Sequence, residues 1–407
     1  MSRGRRRRPR LGSPLRRAGL VPRPRAIRAL IRDRALRFTE GNRVELYDTG
    51  RAGLQAMLAA IECAERRIHL ETYILRSDQI GREFLAALAE RAADGVEVCL
   101  LYDAVGSLGL DESALEPLRA AGGEVVAFNP LFAWLRFPAR RRDHRKILVV
   151  DGEIAFMGGL NIGDEYVSGL DPGRAGEPWR DAHVRIEGPC VRDLEAVFLE
   201  SWFRADGPAL PWHTLLEGEP PRSGNVRCAV LADGPSHRRR RTRDLLISAL
   251  GDAEREVLLV SPYFAPGRRV LEALGAASAR GVRVALLLAG PRTDHPSLRR
   301  AARAVLPRLL ERGVQVREFD GGMMHAKLAC FDASYAVVGT SNLDRQSFEH
   351  SYEVNLILED ADFAKRVRED IERDAARGQP VDLAALARRG FVERLRDRIA
   401  AILLRWV

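Results

Sequence analysis

One pattern, His-x-Lys followed by Asp five places on, occurs twice in this 407-residue chain: residues 144–151 read HRKILVVD and residues 325–332 read HAKLACFD. Each run continues into a glycine-containing turn and an asparagine, Gly158-Gly159-Leu160-Asn161 and Gly339-Thr340-Ser341-Asn342. His, Lys, Asp, the first Gly and Asn are all repeated 181 residues later. The flanking periodicity repeats too. Residues 67–74 alternate as a strand, 82–93 carry a helical pattern, Gly95 ends it, and VEVCLLYD reads as a buried strand. Residues 256–264, 269–280, Gly281 and VRVALLLAG repeat that order. Two spaced copies of one βαβ text require an internal duplication, hence an α/β chain of two similar domains. The Gly/Pro-rich stretch at 205–225 separates them.

The repeated residue types suit a phosphodiester. A strand-like HxK sends both side chains to one face, and a turn made by the glycines returns the asparagine to it. Each copy thus supplies an imidazole, a point cation and an amide. Two copies face to face would flank a phosphate with two imidazoles, one attacking in line while the other protonates the departing oxygen. Lys146, Lys327, Asn161 and Asn342 would stabilise the non-bridging oxygens. Each histidine needs an acceptor on its second nitrogen, for which Asp181 and Glu353 are the candidates. Asp151 and Asp332 precede tight turns, and either fix those turns or join the chemistry. The other histidines, among them His69, His183, His295 and His350, lack the HxK context and read as ordinary polar positions. Lysine is scarce, since Lys146, Lys327 and Lys365 are the only three among 65 basic residues. Two of the three therefore mark the site.

The paired HxKxxxxD runs, with GGLNIGDEY, GTSNLDRQSFEHSYEVN, WRDAHVRIEGP and SPYFAPG, resemble the phospholipase D superfamily. Within it they look most like bacterial cardiolipin synthases of the shorter, peripheral type, over residues 41–360. The resemblance implies an α/β fold of two phospholipase D-like domains, each a mixed β-sheet flanked by helices, with the active site at their interface. The expected division is an arginine-rich tail at 1–40, domains at 41–215 and 216–380, and a C-terminal helix at 381–407. The resemblance also implies a phosphohistidine intermediate and transfer of a phosphatidyl group between phosphatidylglycerol molecules, releasing glycerol. His144, Lys146, Asp151, His325, Lys327 and Asp332 are then the catalytic set, with the nucleophile placed at His144. Neither metal nor organic cofactor is expected. The alternatives are a hydrolytic phospholipase D, transfer to another alcohol, a nuclease of the same superfamily, or a binding module with vestigial motifs. One departure stands out, because Gly159 occupies a position where many members carry a hydroxyl.

Charge decides among the partners. The formal net charge is +9, but residues 1–37 hold fourteen Arg and a single acid, leaving −4 for residues 38–407. A mildly acidic body argues against a nucleic-acid partner and favours an anionic phospholipid surface met by the tail. Residues 26–37 form a short basic amphipathic stretch. The loop at 132–142 and the HRRRRTR run at 237–243 add cations near the motifs. The C-terminal FVERLRDRIAAILLRWV sets Val392, Leu395, Ile399, Ile402 and Trp406 on one helical face, with Arg394, Arg396, Arg398 and Arg405 around it. It reads as a membrane-interface helix, or as a helix packed on the body. Five scattered cysteines and no spanning apolar run, with no signal-peptide core after the arginines, predict a peripheral protein on the cytoplasmic membrane face.

Overall fold

The computed structural model describes residues 36–130, 141–168, 176–211, 218–235 and 240–403. The N-terminal arginine tail up to residue 35, most of the 132–142 loop, residues 236–239 and the terminal Arg405 and Trp406 lie outside the described residues.

In the first half the strands are β1 (Thr39–Tyr47), β2 (Arg67–Thr72), β3 (Glu97–Asp103), β4 (Glu124–Phe128), β5 (Arg142–Asp143), β6 (Ile147–Val150), β7 (Ile154–Gly158) and β8 (His183–Glu187). Helices α1 (Gly50–Glu62), α2 (Gln79–Ala93) and α3 (Cys190–Arg204) cover them. The second half contains β9 (Val226–Asp233), α4 (Arg241–Asp252), β10 (Glu256–Ser261), β11 (Phe264–Ala265), α5 (Arg268–Ala279), β12 (Arg283–Leu288) and α6 (Pro296–Leu310). It continues with β13 (Gln315–Phe319), β14 (Leu328–Phe331), β15 (Tyr335–Gly339), β16 (Leu343–Asp344), β17 (Ser351–Glu359), α7 (Ala361–Ala376) and β18 (Gly378–Pro380). Two helices follow, α8 (Leu383–Arg388) and α9 (Phe391–Leu403).

The duplication is visible in strand order. The first half runs β4-β3-β2-β6-β7-β8-β1 and the second β13-β12-β10-β14-β15-β17-β9, the same path taken twice. β1 and β9 pair antiparallel and join the halves into one mixed sheet of sixteen strands. Equivalent glycines end the equivalent helices, since Gly95 and Gly281 both stand at φ near +90°, a left-handed stop that suits a residue without Cβ. The inner strands are apolar on both faces, β6 and β14 being the clearest cases, because each is covered by the other half or by helices. A single core runs between the halves, bringing Phe156, Met157 and Val184 together with Leu328, Val338 and Val354. Such a core holds two site-bearing loops in fixed register, as a flexible linker between independent domains would not.

Candidate active site

His144 and His325 do not lie within strands. Each sits in the lead-in to a hairpin, immediately before β6 or β14, and each lead-in is docked on the opposite half. The His144 amide donates to Tyr352 O (2.9 Å), beside the short β5–β17 pairing. The His325 amide donates to Arg180 O (2.7 Å), next to an Arg180–Met324 bridge. Docking exchanges the carboxylates. Glu353, from the second half, meets His144 Nδ1 at 3.0 Å, and Asp181, from the first, meets His325 Nδ1 at 2.6 Å. Gly158 pairs with His183 and Gly339 with Asn355, so Asp181, just ahead of β8, and Glu353, within β17, stand at equivalent places two residues earlier.

Each imidazole faces a buried carboxylate through Nδ1. Burial pushes the Glu353 carboxyl up, but His144, the Thr340 hydroxyl and Lys146 outweigh it and hold the group below its ordinary value. Asp181 is likewise lowered against burial, by Lys327 and His325. Beside ionised Glu353, Nδ1 of neutral His144 carries the proton and its Nε2 lone pair is free, whereas His325 turns Nδ1 to Asp181 and has Lys327 Nζ 3.1 Å from its Nε2. Burial brings His144 down to about 4, with Glu353 opposing and Lys146 reinforcing. Burial and then Lys327 lower His325 as well. Burial and mutual repulsion bring Lys146 down to about 7, while burial takes Lys327 to about 8 against the pull of Asp181 and Glu353. Lys146 Nζ donates to His144 O (2.7 Å), and Lys327 Nζ lies 2.9 Å from His325 Nδ1. A group of such stacked cations loses repulsion when a phosphate anion enters it.

Both histidines line one cavity of about 1150 Å³, together with Asn161, Asn342, Tyr73, Trp179 and Tyr263. Asn161 accepts from Ile74 N (3.1 Å) and donates to the Tyr166 hydroxyl (2.7 Å), which stands 3.4 Å from His325 Nδ1. Asn342 Oδ1 is buried and has no hydrogen-bond partner among the described residues. The two motif aspartates lie at the far ends of β6 and β14, away from the histidines. Asp151 accepts from the amides of Glu65, Arg66 and Arg67 at 2.7–2.9 Å. Asp332 accepts from Glu254, Arg255 and Glu256 at 2.8–3.0 Å. Both stand at positive φ (56° and 52°) and tie the hairpin to the loop ahead of β2 or β10.

The missing hydroxyl at Gly159 has a steric cause. A Cβ there would meet Asp181 Oδ1 at 1.9 Å, so Asp181 fills the volume a side chain would need. In the second half Thr340 occupies that place and donates to the longer Glu353. Tyr166 was not among the candidate residues, although the GDEY string contains it, because nothing local ties a tyrosine to a histidine 159 residues away. His295, which lacks the HxK context, lines the cavity beside Asp294. His69 and His183 are core residues.

The family model described as cardiolipin synthase, PLD-like domain, matches residues 57–171 and 246–375, one segment in each half. The cardiolipin synthase of Geobacillus kaustophilus (strain HTA426) is 36% identical over 358 residues, which make up 87% of this chain and 70% of that protein. The chain belongs to the phospholipase D-like family of cardiolipin synthases. Cardiolipin synthase 1 of Bacillus cereus is 34% identical, over 86% of this chain and 70% of its own length. A crystal structure of phosphatidylserine synthase from Haemophilus influenzae Rd KW20 superposes with a TM-score of 0.70 at 15% identity, covering 93% of this chain and 98% of that one. A polyphosphate kinase from Porphyromonas gingivalis gives 0.54 at 14% identity, over 90% of this chain and 53% of that one. Both share the fold. As a member of this family the chain is an enzyme, a phosphatidyltransferase of the phospholipase D type. No helix among the described residues is long and apolar enough to cross a membrane.

Proposed function

We propose that this cardiolipin synthase-family enzyme moves a phosphatidyl group from one phosphatidylglycerol to a hydroxyl of a second, releasing glycerol, by way of a phosphohistidine. The observation that carries the mechanism is the crossed pair of carboxylate–histidine contacts opening into one cavity. His144 is the nucleophile and His325 the acid. Neutral His144 attacks phosphorus through Nε2, and the bond to the glycerol oxygen breaks. That oxygen takes the Nε2 proton of His325, which enters the step as an imidazolium with its Nδ1 proton held by Asp181, and glycerol leaves. The hydroxyl of the second lipid then gives its proton to His325 and attacks phosphorus, which breaks the P–N bond and restores His144. Lys146, Lys327, Asn161 and Asn342 face the non-bridging oxygens, where charge accumulates in each transition state. Glu353 holds neutral His144 in the reactive tautomer, and Asp181 orients the His325 ring through Nδ1. In a protein with this substrate, the working location is the cytoplasmic face of the membrane, held peripherally.

The test uses purified full-length enzyme with phosphatidylglycerol labelled in the headgroup and, separately, in the acyl chains. Cardiolipin and free glycerol are expected in equal amounts. Phosphatidic acid without cardiolipin would instead assign a hydrolase. His144→Ala should abolish the acid-labile protein-bound label, while His325→Ala should slow its formation and its turnover. Label persisting in His144→Ala would move the nucleophile to His325.

A further inference from the structure

Helix α9 turns its apolar side outward. Phe391, Val392, Leu395, Ile399 and Ile402 are all between 43% and 71% exposed. At about 100° per residue they fall within one arc of about 100°. Arg396 borders that arc on one side, and Arg394 and Arg398 border it on the other. The opposite face holds Asp397, which is buried and paired with Arg389, together with the partly buried Ala400 and Ala401. Through that face α9 packs on α6. A helix stabilised by the hydrophobic effect within one chain would do the reverse. Large exposed hydrophobics are otherwise sparse among the described residues: Leu383 lies on neighbouring α8, and Leu108 and Phe203 lie elsewhere. Single exposed apolar residues are ordinary, whereas a continuous stripe marks an interaction surface.

We propose that α9 is a docking surface for an anionic phospholipid bilayer, lying in the plane of the interface with its stripe among the acyl chains. The arginine borders then stand at headgroup depth, where each meets lipid phosphate. A second copy of the chain is the poorer occupant, since a two-fold contact through this face would set one arginine border against another. The position is apt. α9 rests on α6, whose first turn contributes Ser297 and Leu298 to the cavity. On the first half's side, Leu108 is 62% exposed in the loop that lines the cavity through Val105, Gly106 and Gly109. The inference takes the lipid substrate class from the proposed function, but docking itself rests on the stripe.

Binding of the full chain to phosphatidylcholine vesicles, with and without phosphatidylglycerol, tests this by co-sedimentation. The variant Leu395→Asp/Ile399→Asp alters two exposed positions and should lose about tenfold or more of its vesicle affinity. Its transfer activity on short-chain, monomeric phosphatidylglycerol should stay at the parent level, which also reports the fold. Arg396→Ala/Arg398→Ala should weaken binding only to vesicles containing phosphatidylglycerol. At high ionic strength the arginine-rich tail is screened, and the binding that remains should still depend on Leu395 and Ile399. Undiminished vesicle binding by the aspartate variant would overturn the proposal. So would a parent dimer that the variant dissolves while vesicle binding stays unchanged, which would assign the stripe to a second copy. Because vesicle binding needs no turnover, an enzyme without cardiolipin synthesis would refute the proposed reaction and leave this readout intact.

Discussion

Replacing Glu353 by glutamine changes one oxygen for an NH₂ at a fully buried position, and the surroundings leave that NH₂ no good place. Glu353 Oε2 accepts from His144 Nδ1 at 3.0 Å and from the Thr340 hydroxyl, while Oε1 has no hydrogen-bond partner among the described residues. If the glutamine oxygen keeps the Oε2 site, the new NH₂ is buried with nothing to donate to, which costs about 1–3 kcal/mol. If it turns round, NH₂ faces His144 Nδ1 and drives the imidazole proton to Nε2, removing the lone pair that attacks phosphorus. Both orientations also remove the negative charge that would steady a cationic phosphohistidine. The comparable carboxylate-to-amide change in a serine-protease triad costs about 10⁴ in kcat. We expect a loss of about 10²- to 10⁴-fold here, or about 2.7–5.4 kcal/mol of activation free energy. The pH profile separates this cause from simple damage. Glu353 opposes the burial that brings His144 down to about 4. Without the carboxylate His144 falls further, so the acid limb of kcat/KM should move to lower pH while the plateau drops. Initial rates of cardiolipin formation in mixed micelles, with thermal melts to verify folding, would measure both. A variant within threefold of the parent, with an unmoved acid limb, would refute the orienting role of Glu353.

Other changes probe different parts of the site. Gly159→Ala puts a Cβ 1.9 Å from Asp181 Oδ1 and must push that carboxylate off His325, so kcat should fall about 10²-fold or more with little change in melting temperature; steady-state rates at parent level would show that the loop simply yields. Asp332→Asn tolerates the positive φ but weakens the grip on three amides, so stability should drop by about 1–3 kcal/mol while the folded enzyme keeps its kcat. Urea titration beside single-point kinetics measures this, and a kcat loss without destabilisation would return Asp332 to the chemistry. Burial brings His183 down to about 3, so it stays neutral in the fold but is protonated in the unfolded chain below its ordinary value. Stability is therefore lost as pH falls from about 6.5 towards about 3, by about 2 kcal/mol at pH 5. His183→Asn, which copies the equivalent Asn355, should remove that part of the difference between urea midpoints at pH 7 and pH 5.

Much of this protein was legible before any coordinates. Hydrophobic periodicity and the helix-ending Gly95 and Gly281 act within a few residues of themselves, so the repeated βαβ text located β2, α2, β3 and β10, α5, β12 closely. The motif spacing also singled out His144, His325, both lysines and both asparagines, because duplication stamps the same local text twice. Asp181 and Glu353 were nameable as carboxylates at equivalent places near equivalent strands. Which histidine each one serves was not, for the exchange between halves depends on how β5 meets β17 and how Arg180 meets Met324.

Linear pattern also could not place Asp151 and Asp332. Their conserved spacing from the histidine within each copy holds equally for a catalytic group and for a hairpin clamp, and only the direction of β6 and β14 carries them away from the cavity. The same limit applies to α9. Its sequence defines an apolar arc and a polar arc, and it says nothing of which one meets the protein. The packing settles that by burying Asp397 beside the partly buried Ala400 and Ala401 and leaving the apolar arc outside. Local sequence thus determined the elements, the duplication and the reactive residue types, since these follow from backbone propensity and side-chain chemistry over short range. Partnership across the two halves, the steric place of Asp181 at Gly159 and the outward face of α9 are distances between residues far apart in the chain. Only the packed core sets them.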